Sequence, residues 1–173
     1  MERSCPNILI TGTPGVGKTT LARLLVDQLN ETSQNFHLIS VGALVNEQKL
    51  YTNWNEEYNV PEFDEDLICD SIELEVRKGG RVVEFHTCDF FPIEWFDLVV
   101  LLHASTENLF DRMTERGYTE KKTRENIECE IMNVVKDEVH ESYSADKILE
   151  LDSNTAEEME ANIAKIVNKV SEL

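Results

Sequence analysis

The stretch NILITGTPGVGKTTLARLL, residues 7–25, changes character twice within nineteen positions. Asn7 to Thr11 is a short continuous apolar run, the pattern of a strand covered on both faces. Leu21, Leu24, Leu25 and Leu29 then fall on one face of a helix expected from Thr19 to about Asn30. Between them, Gly12 to Thr19 fits G-x-x-x-x-G-K-[ST]. Glycines let the backbone wrap closely around an anion, so that successive N–H groups point inward as a nest. The helix that follows adds the positive end of its dipole. Lys18 supplies a full charge to the outer phosphates, and the Thr19 hydroxyl suits Mg²⁺. Gly15, Val16, Gly17, Lys18, Thr19 and Thr20 are therefore the expected contacts to a nucleoside triphosphate.

Working outward, FHLIS (36–40), RVVEF (81–85), DLVVLLH (97–103) and KILEL (147–151) read as further strands. Helices are expected at about 64–78, ending at Gly79-Gly80, and at about 106–115 and 123–141, with a break at Gly117. The 123–141 helix would carry Ile127, Ile131, Val134 and Val135 on one stripe. A last helix opens with Thr155 and Glu158 as a capping box and turns Met159, Ile163, Ile166, Val167 and Val170 inward. Residues 41–63 are polar, studded with aromatics and closed by Pro61, an excursion from the core. Alternating strands and helices give an α/β, three-layer P-loop fold: five parallel strands with helices on both faces. Ligands of such sheets sit beyond the carboxyl ends of the strands, where residues 12–18 lie.

A length of 173 residues accommodates one compact domain, and 41% apolar residues support a real core. No run approaches the ~20 apolar residues of a membrane span. MERSCPNILI lacks the layout of a secretory signal. Cys5, Cys69, Cys88 and Cys129 have no metal-ligand spacing and are expected as reduced thiols. The formal charge of −18 repels nucleic-acid phosphates, so direct duplex binding is not expected, and it favours a basic partner.

The run PNILITGTPGVGKTTLA, followed in order by EEY, CDFFP, RGYTEKK and ENIECEI, resembles the adenylate kinase isoenzyme 6 family over nearly the whole chain. The resemblance implies phosphate transfer between ATP and AMP with Mg²⁺, and ATP hydrolysis. It also implies work in small ribosomal subunit maturation with a basic small-subunit ribosomal protein, in nucleus and cytoplasm. A nucleoside-monophosphate-binding segment would span about 40–63 and a short lid about 115–125, within a single domain of residues 1–173.

Five of the sixteen basic residues, Arg112, Arg116, Lys121, Lys122 and Arg124, crowd into thirteen positions of that lid region. Phosphoryl transfer needs mobile positive charge over the reacting oxygens, and the family's pattern puts Arg116 on ATP, with Arg112 one helical turn before it. Glu84 ends the third core strand where a carboxylate orients the metal or its water. The family more usually has Asp there. His86 matches the family's histidine and would position attacking water or couple hydrolysis to a partner. Phe90, Phe91, Trp95 and Phe96 read as packing rather than base stacking, with Asp89 a candidate acceptor contact. Adenine contacts are expected from backbone near Ser153 and Asn154.

The acceptor side is where the pattern thins. An AMP phosphate is normally held by arginines, yet residues 24–76 contain none. Lys49 is the only Lys or Arg there, against twelve carboxylates, and is the candidate substitute. Ala43, Asn46 and Glu94 stand where relatives often show charged groups. The expectation is a secure ATP grip with a weakened AMP reaction, leaving two readings open: an adenylate-kinase-type enzyme, and an assembly factor for which hydrolysis is a timer.

Overall fold

The computed structural model describes residues 5–31, 35–58 and 60–173. Residues 1–4, at the head of the segment read against a leader, and Asn59, within 40–63, lie outside the described residues. Strands β1 (Ile8–Thr11), β2 (His37–Ser40), β5 (Arg81–Glu84), β6 (Leu98–His103) and β7 (Ile148–Asp152) form one parallel sheet in the order β2-β5-β1-β6-β7. The five expected strands are all present.

Alternation along the central strands divides the core. Ile8 and Ile10 of β1, with Leu98, Val100 and Leu102 of β6, face helices α1 (Lys18–Glu31), α4 (Thr106–Glu115) and α7 (Ala156–Val170). Leu9, Val83, Val99 and Leu101 face the opposite layer. That layer holds α2 (Val41–Glu47), α3 (Glu65–Val76), α6 (Val134–Ser142) and the rings of Phe91, Trp95 and Phe96. Phe90 packs beside them at a ring distance of 4.1 Å from Phe91. The aromatic loop is thus packing, as its composition suggested.

Within the excursion at 41–63, after α2, the chain makes an antiparallel hairpin of β3 (Tyr51–Asn55) and β4 (Val60–Phe63). Three sequence expectations need correction. The helix expected at 123–141 is two helices, α5 (Glu120–Ile131) and α6, because Asn133 turns left-handed at φ 56°. Asparagine tolerates that conformation better than most residues. The break rotates Ile131 and Val134 out of the apolar stripe, leaving them 59% and 48% exposed. Leu24 of α1 likewise sits outside the buried face made by Leu21, Leu25 and Leu29. In α7, Ile166 and Val170 are buried and Met159, Ile163 and Val167 pack against the same core. Thr155 caps its first turn, while Glu158 reaches back one residue further, to the Asn154 amide at 2.6 Å.

One polar residue ties the layers together. Asn7 is fully buried; its Nδ2 donates to the carbonyls of Val76 at 2.8 Å and Trp95 at 2.9 Å, and its Oδ1 accepts from the Arg81 amide at 2.9 Å. Truncation would strand the Arg81 amide in a dry core, at about 1–3 kcal/mol, and take one donor from each of the two carbonyls, of which Val76 keeps the Gly79 amide at 3.1 Å. Asn7→Ala is therefore expected to lower unfolding free energy by about 2 kcal/mol or more in urea titrations. A loss under about 1 kcal/mol would show that the hub is dispensable.

Candidate functional site

The loop after β1 closes around a turn that only glycine fits. Gly12 has φ 145°, and a Cβ there would stand 2.5 Å from the Leu102 carbonyl oxygen. Val16 N–H donates to the Thr13 carbonyl at 3.3 Å, and the Val16 side chain is buried in the core. Helix α1 then begins at Lys18, so its first-turn amides have no preceding helical carbonyl and are left for a ligand.

Lys18 is only 8% exposed and points back into the loop, donating to the carbonyls of Gly12 at 2.6 Å and Thr13 at 3.0 Å. Burial lowers its pKa to about 8; Glu84 and Glu130 oppose that shift and Arg116 reinforces it.

Glu84 is the register partner of Ile10 on one side and Ser40 on the other, so the sheet itself delivers its carboxylate beside the loop. Its Oε1 accepts from Ser40 Oγ at 2.5 Å and Thr19 Oγ1 at 3.2 Å. His86 follows two residues later against Phe85 and Phe63, with ring distances of 4.3 and 5.8 Å. Enclosure by the protein, with a smaller effect from Lys18, holds its pKa below the ordinary histidine value. Its ring still meets solvent, which moderates the shift without changing its sign. The imidazole is neutral at physiological pH.

These groups line a cavity of about 780 Å³. One half is the glycine loop with Thr19 and Thr20. The other is walled by Val45, Val60, Phe63, Phe85 and Val135. Arg116, which caps α4, and Lys122 of α5 reach its rim. Opposite, the hairpin meets α5: Lys121 pairs with Glu57, and Tyr58 Oη donates to Glu125 at 2.9 Å. Behind, Glu138 of α6 accepts from Thr87 Oγ1 at 2.6 Å and from the amides of Cys88 and Asp89.

The family profile described as "AAA domain" matches residues 8–133. An adenylate kinase isoenzyme 6 homolog of Caenorhabditis elegans is 44% identical over 98% of this chain and 92% of its own. One of Drosophila melanogaster is 38% identical over 94% of this chain and 90% of its own. The chain belongs to the adenylate kinase isoenzyme 6 family. Among solved structures, the shikimate kinase of Bacteroides thetaiotaomicron superposes with a TM-score of 0.64 at 16% identity, covering 98% of this chain and 100% of that one. A second, from Acinetobacter baumannii in complex with shikimate, gives 0.65 at 16% identity, covering 98% and 95%. At such identity the likeness establishes the P-loop kinase fold.

In this family member the structure brings Gly15, Gly17, Lys18, Thr19, Thr20, Glu84, His86 and Arg116 to one cavity. Four residues take other places. Val16 shapes the loop from inside the core. Arg112 is spent on backbone, donating to the carbonyls of Gly15 at 3.1 Å, Ser153 at 2.8 Å and Asn154 at 3.2 Å. It braces the 153–154 segment against the phosphate loop instead of reaching the cavity. Lys49 is exposed and absent from the cavity wall, where Lys122 from α5 is present. Asp89 accepts from Thr87 at 3.2 Å and also lies off the wall. Sequence reasoning missed Ser40, Glu130 and Glu138. Only strand register and the path of α5 and α6 reveal them.

Among the described residues no cluster of three His, Cys, Asp or Glu side chains is arranged to hold a metal. Thr19, Glu84 and Ser40 offer hard oxygens on one side only, which suits an ion whose other ligands are phosphate and water, as Mg²⁺ prefers.

The Lys18 shift has a stability consequence of definite sign. The unfolded chain keeps that proton to about pH 10.5 and the folded chain only to about 8. A charged Lys18 therefore costs stability below pH 8, and the cost fades between 8 and 10.5. By linkage the cost is about 3 kcal/mol, offset by about 1 kcal/mol for each of two hydrogen bonds. Lys18→Met is expected to make the ligand-free protein more stable by about 1 kcal/mol at pH 7, an advantage that disappears near about pH 9 and reverses above it. Denaturant melts across pH check it.

Proposed function

We propose that this protein is a Mg-ATP-dependent phosphotransferase of the adenylate kinase type, ATP and AMP giving two ADP, with slow ATP hydrolysis beside it. The observation that carries the reading is the pairing of a glycine loop and its buried Lys18 with a second, apolar half-cavity facing the same point. Relatives named adenylate kinase isoenzyme 6 homolog support the nucleotide-kinase class.

In this reading ATP lies with its phosphates against Gly15 to Thr20 and its base near the 153–154 segment. Lys18 leaves the carbonyls of Gly12 and Thr13 to bridge the outer phosphates, where its charge counters the negative charge shifting onto the leaving oxygen. Arg116 approaches from the end of α4 and covers the transferred group. Glu84, held by Ser40, and Thr19 would orient Mg²⁺ directly or through its water. Bound there, the ion would neutralise phosphate charge and fix its geometry. His86, neutral, accepts a hydrogen bond from an attacking water. The acceptor oxygen bonds to the terminal phosphorus as the bridging bond to ADP breaks. Residues 40–63 would form the acceptor segment and 115–125 the lid.

Acceptor affinity is the weak point of this design. The acceptor wall is apolar and offers Lys122 and Arg116 in place of arginines from the 40–63 segment. Steady-state assays with ATP alone and with ATP plus AMP are expected to show slow hydrolysis, and AMP turnover only at high AMP. Lys18→Ala is expected to depress both by a factor of about 100 or more. Fast turnover at micromolar AMP would overturn the acceptor argument, and no use of ATP at all would overturn the reading.

The charge of −18 favours a second role, in which nucleotide state governs the grip on a basic small-subunit ribosomal protein in nucleus and cytoplasm. Lys18→Ala separates the two. If partner capture and ribosome maturation persist without turnover, phosphotransfer is not the working activity.

A further inference from the structure

A connected group of ionisable side chains outside the cavity sits behind the phosphate loop. Glu130, near the end of α5, has a side chain only 11% exposed. Its Oε2 accepts from the Thr13 hydroxyl at 2.5 Å. Its Oε1 accepts from the Ala104 amide at 3.2 Å and lies 3.1 Å from His103 Nδ1. His103, at the end of β6, has its Nε2 3.4 Å from Glu150 of β7. Glu150 in turn takes Lys136 Nζ at 2.9 Å and lies 2.6 Å from His140 Nε2, both on α6. Asp152 is the register partner of His103 on β7.

A shielded carboxylate beside a polyphosphate site is costly twice: it is desolvated, and it repels the ligand. The cost makes sense if Thr13 must be held rigidly. Thr13 is fully buried, and its carbonyl is one of the two that orient Lys18 and also receives the Val16 amide. Fixing the Thr13 side chain from behind fixes the peptide that aims the lysine and sets the loop's curvature.

We infer that Glu130 is a positioning residue for the phosphate loop, its carboxylate clamping Thr13 from behind with His103 as its ionic partner. The inference rests on the nucleotide reading of the loop and adds to it. The hydrogen bond to Glu130 raises the His103 pKa against burial, with Glu150 adding to the rise. Burial pushes Glu130 up, but bonds from His103, Thr13 and the Ala104 amide hold it below the usual carboxylate value. With the histidine value raised, the charged pair is complete below pH 6.5 and is lost as pH climbs through the elevated value. Lys18, with a pKa of about 8, titrates nearby, so His103 variants are needed to isolate the clamp.

Mg-ADP binding is measured by calorimetry from pH 6 to 9, with ligand-free melting temperature alongside, for wild type, Thr13→Val, Glu130→Ala, the double variant, Glu130→Gln and His103→Gln. Thr13→Val and Glu130→Ala are each expected to weaken binding about tenfold, and together hardly more than either alone. Glu130→Gln, which still accepts from Thr13, is expected to recover most of the affinity. His103→Gln is expected to remove the loss of affinity that wild type shows as pH climbs through the raised His103 titration. If Glu130→Ala does not fold, Thr13→Val and His103→Gln carry the test, each removing one arm only. Additive losses, or variants that melt lower yet bind Mg-ADP like wild type, overturn the clamp alone. A wild type that does not bind Mg-ADP overturns the nucleotide reading itself.

Discussion

An ammonium group held among carbonyls before any phosphate arrives is the constraint around which the rest is arranged. Lys18 gives up hydration to sit in the glycine loop, and its pKa falls to about 8 as a result. The loop that holds it needs the left-handed turn at Gly12, which brings the backbone against Leu102 of β6. That contact exists only because β1 and β6 are parallel neighbours in the middle of the sheet. The central strands are therefore buried on both faces and read as unbroken apolar runs. Fold and site answer to the same placement of one charge.

Strand register does the second part of the work. Ser40, Glu84 and Ile10 lie side by side across β2, β5 and β1, so the carboxylate meets the start of α1 without any long loop to position it. Glutamate is one methylene longer than the aspartate that the family resemblance leads one to expect there. Here the extra reach is taken up by Ser40, whose hydroxyl holds Oε1 at 2.5 Å and leaves it within 3.2 Å of Thr19. A side chain anchored at both ends is better suited to ordering water around an ion than a freely rotating one.

The sheet and the phosphate loop were legible in the sequence because both obey local rules: apolar runs, a glycine spacing, helical periodicity. Local rules were weaker at 41–63, where Val60 to Phe63 contains a proline and the hairpin is stabilised by what it packs on. They failed at 123–141, where a stripe of periodic apolar residues continues in the sequence although Asn133 breaks the helix that would carry it. Arg112 shows a different limit. Its spacing from Arg116 sets the two one helical turn apart, but spacing cannot say whether a guanidinium ends on a phosphate or on carbonyls of a neighbouring turn. Glu130 and Glu138 were invisible for a related reason: they act on segments 117 and about 50 residues away in the chain.

The acidic surface poses a last question, since a protein of charge −18 must accept a polyanion. The cavity wall itself carries Glu84, Glu125 and Glu138 alongside Lys18, Arg116 and Lys122. The three carboxylates, however, are each turned toward a donor: Glu84 toward Ser40 and Thr19, Glu125 toward Tyr58, Glu138 toward the amides of Cys88 and Asp89. The cations are not neutralised in the same way. Lys18 has only carbonyl partners, and Lys122 rests on the Tyr118 ring at 4.3 Å. Within a few ångströms of a phosphate, these orientations and the first-turn amides of α1 outweigh distant surface charges that salt screens over about 10 Å. The same separation of scales lets the outer surface stay strongly acidic without weakening the hold on phosphate inside.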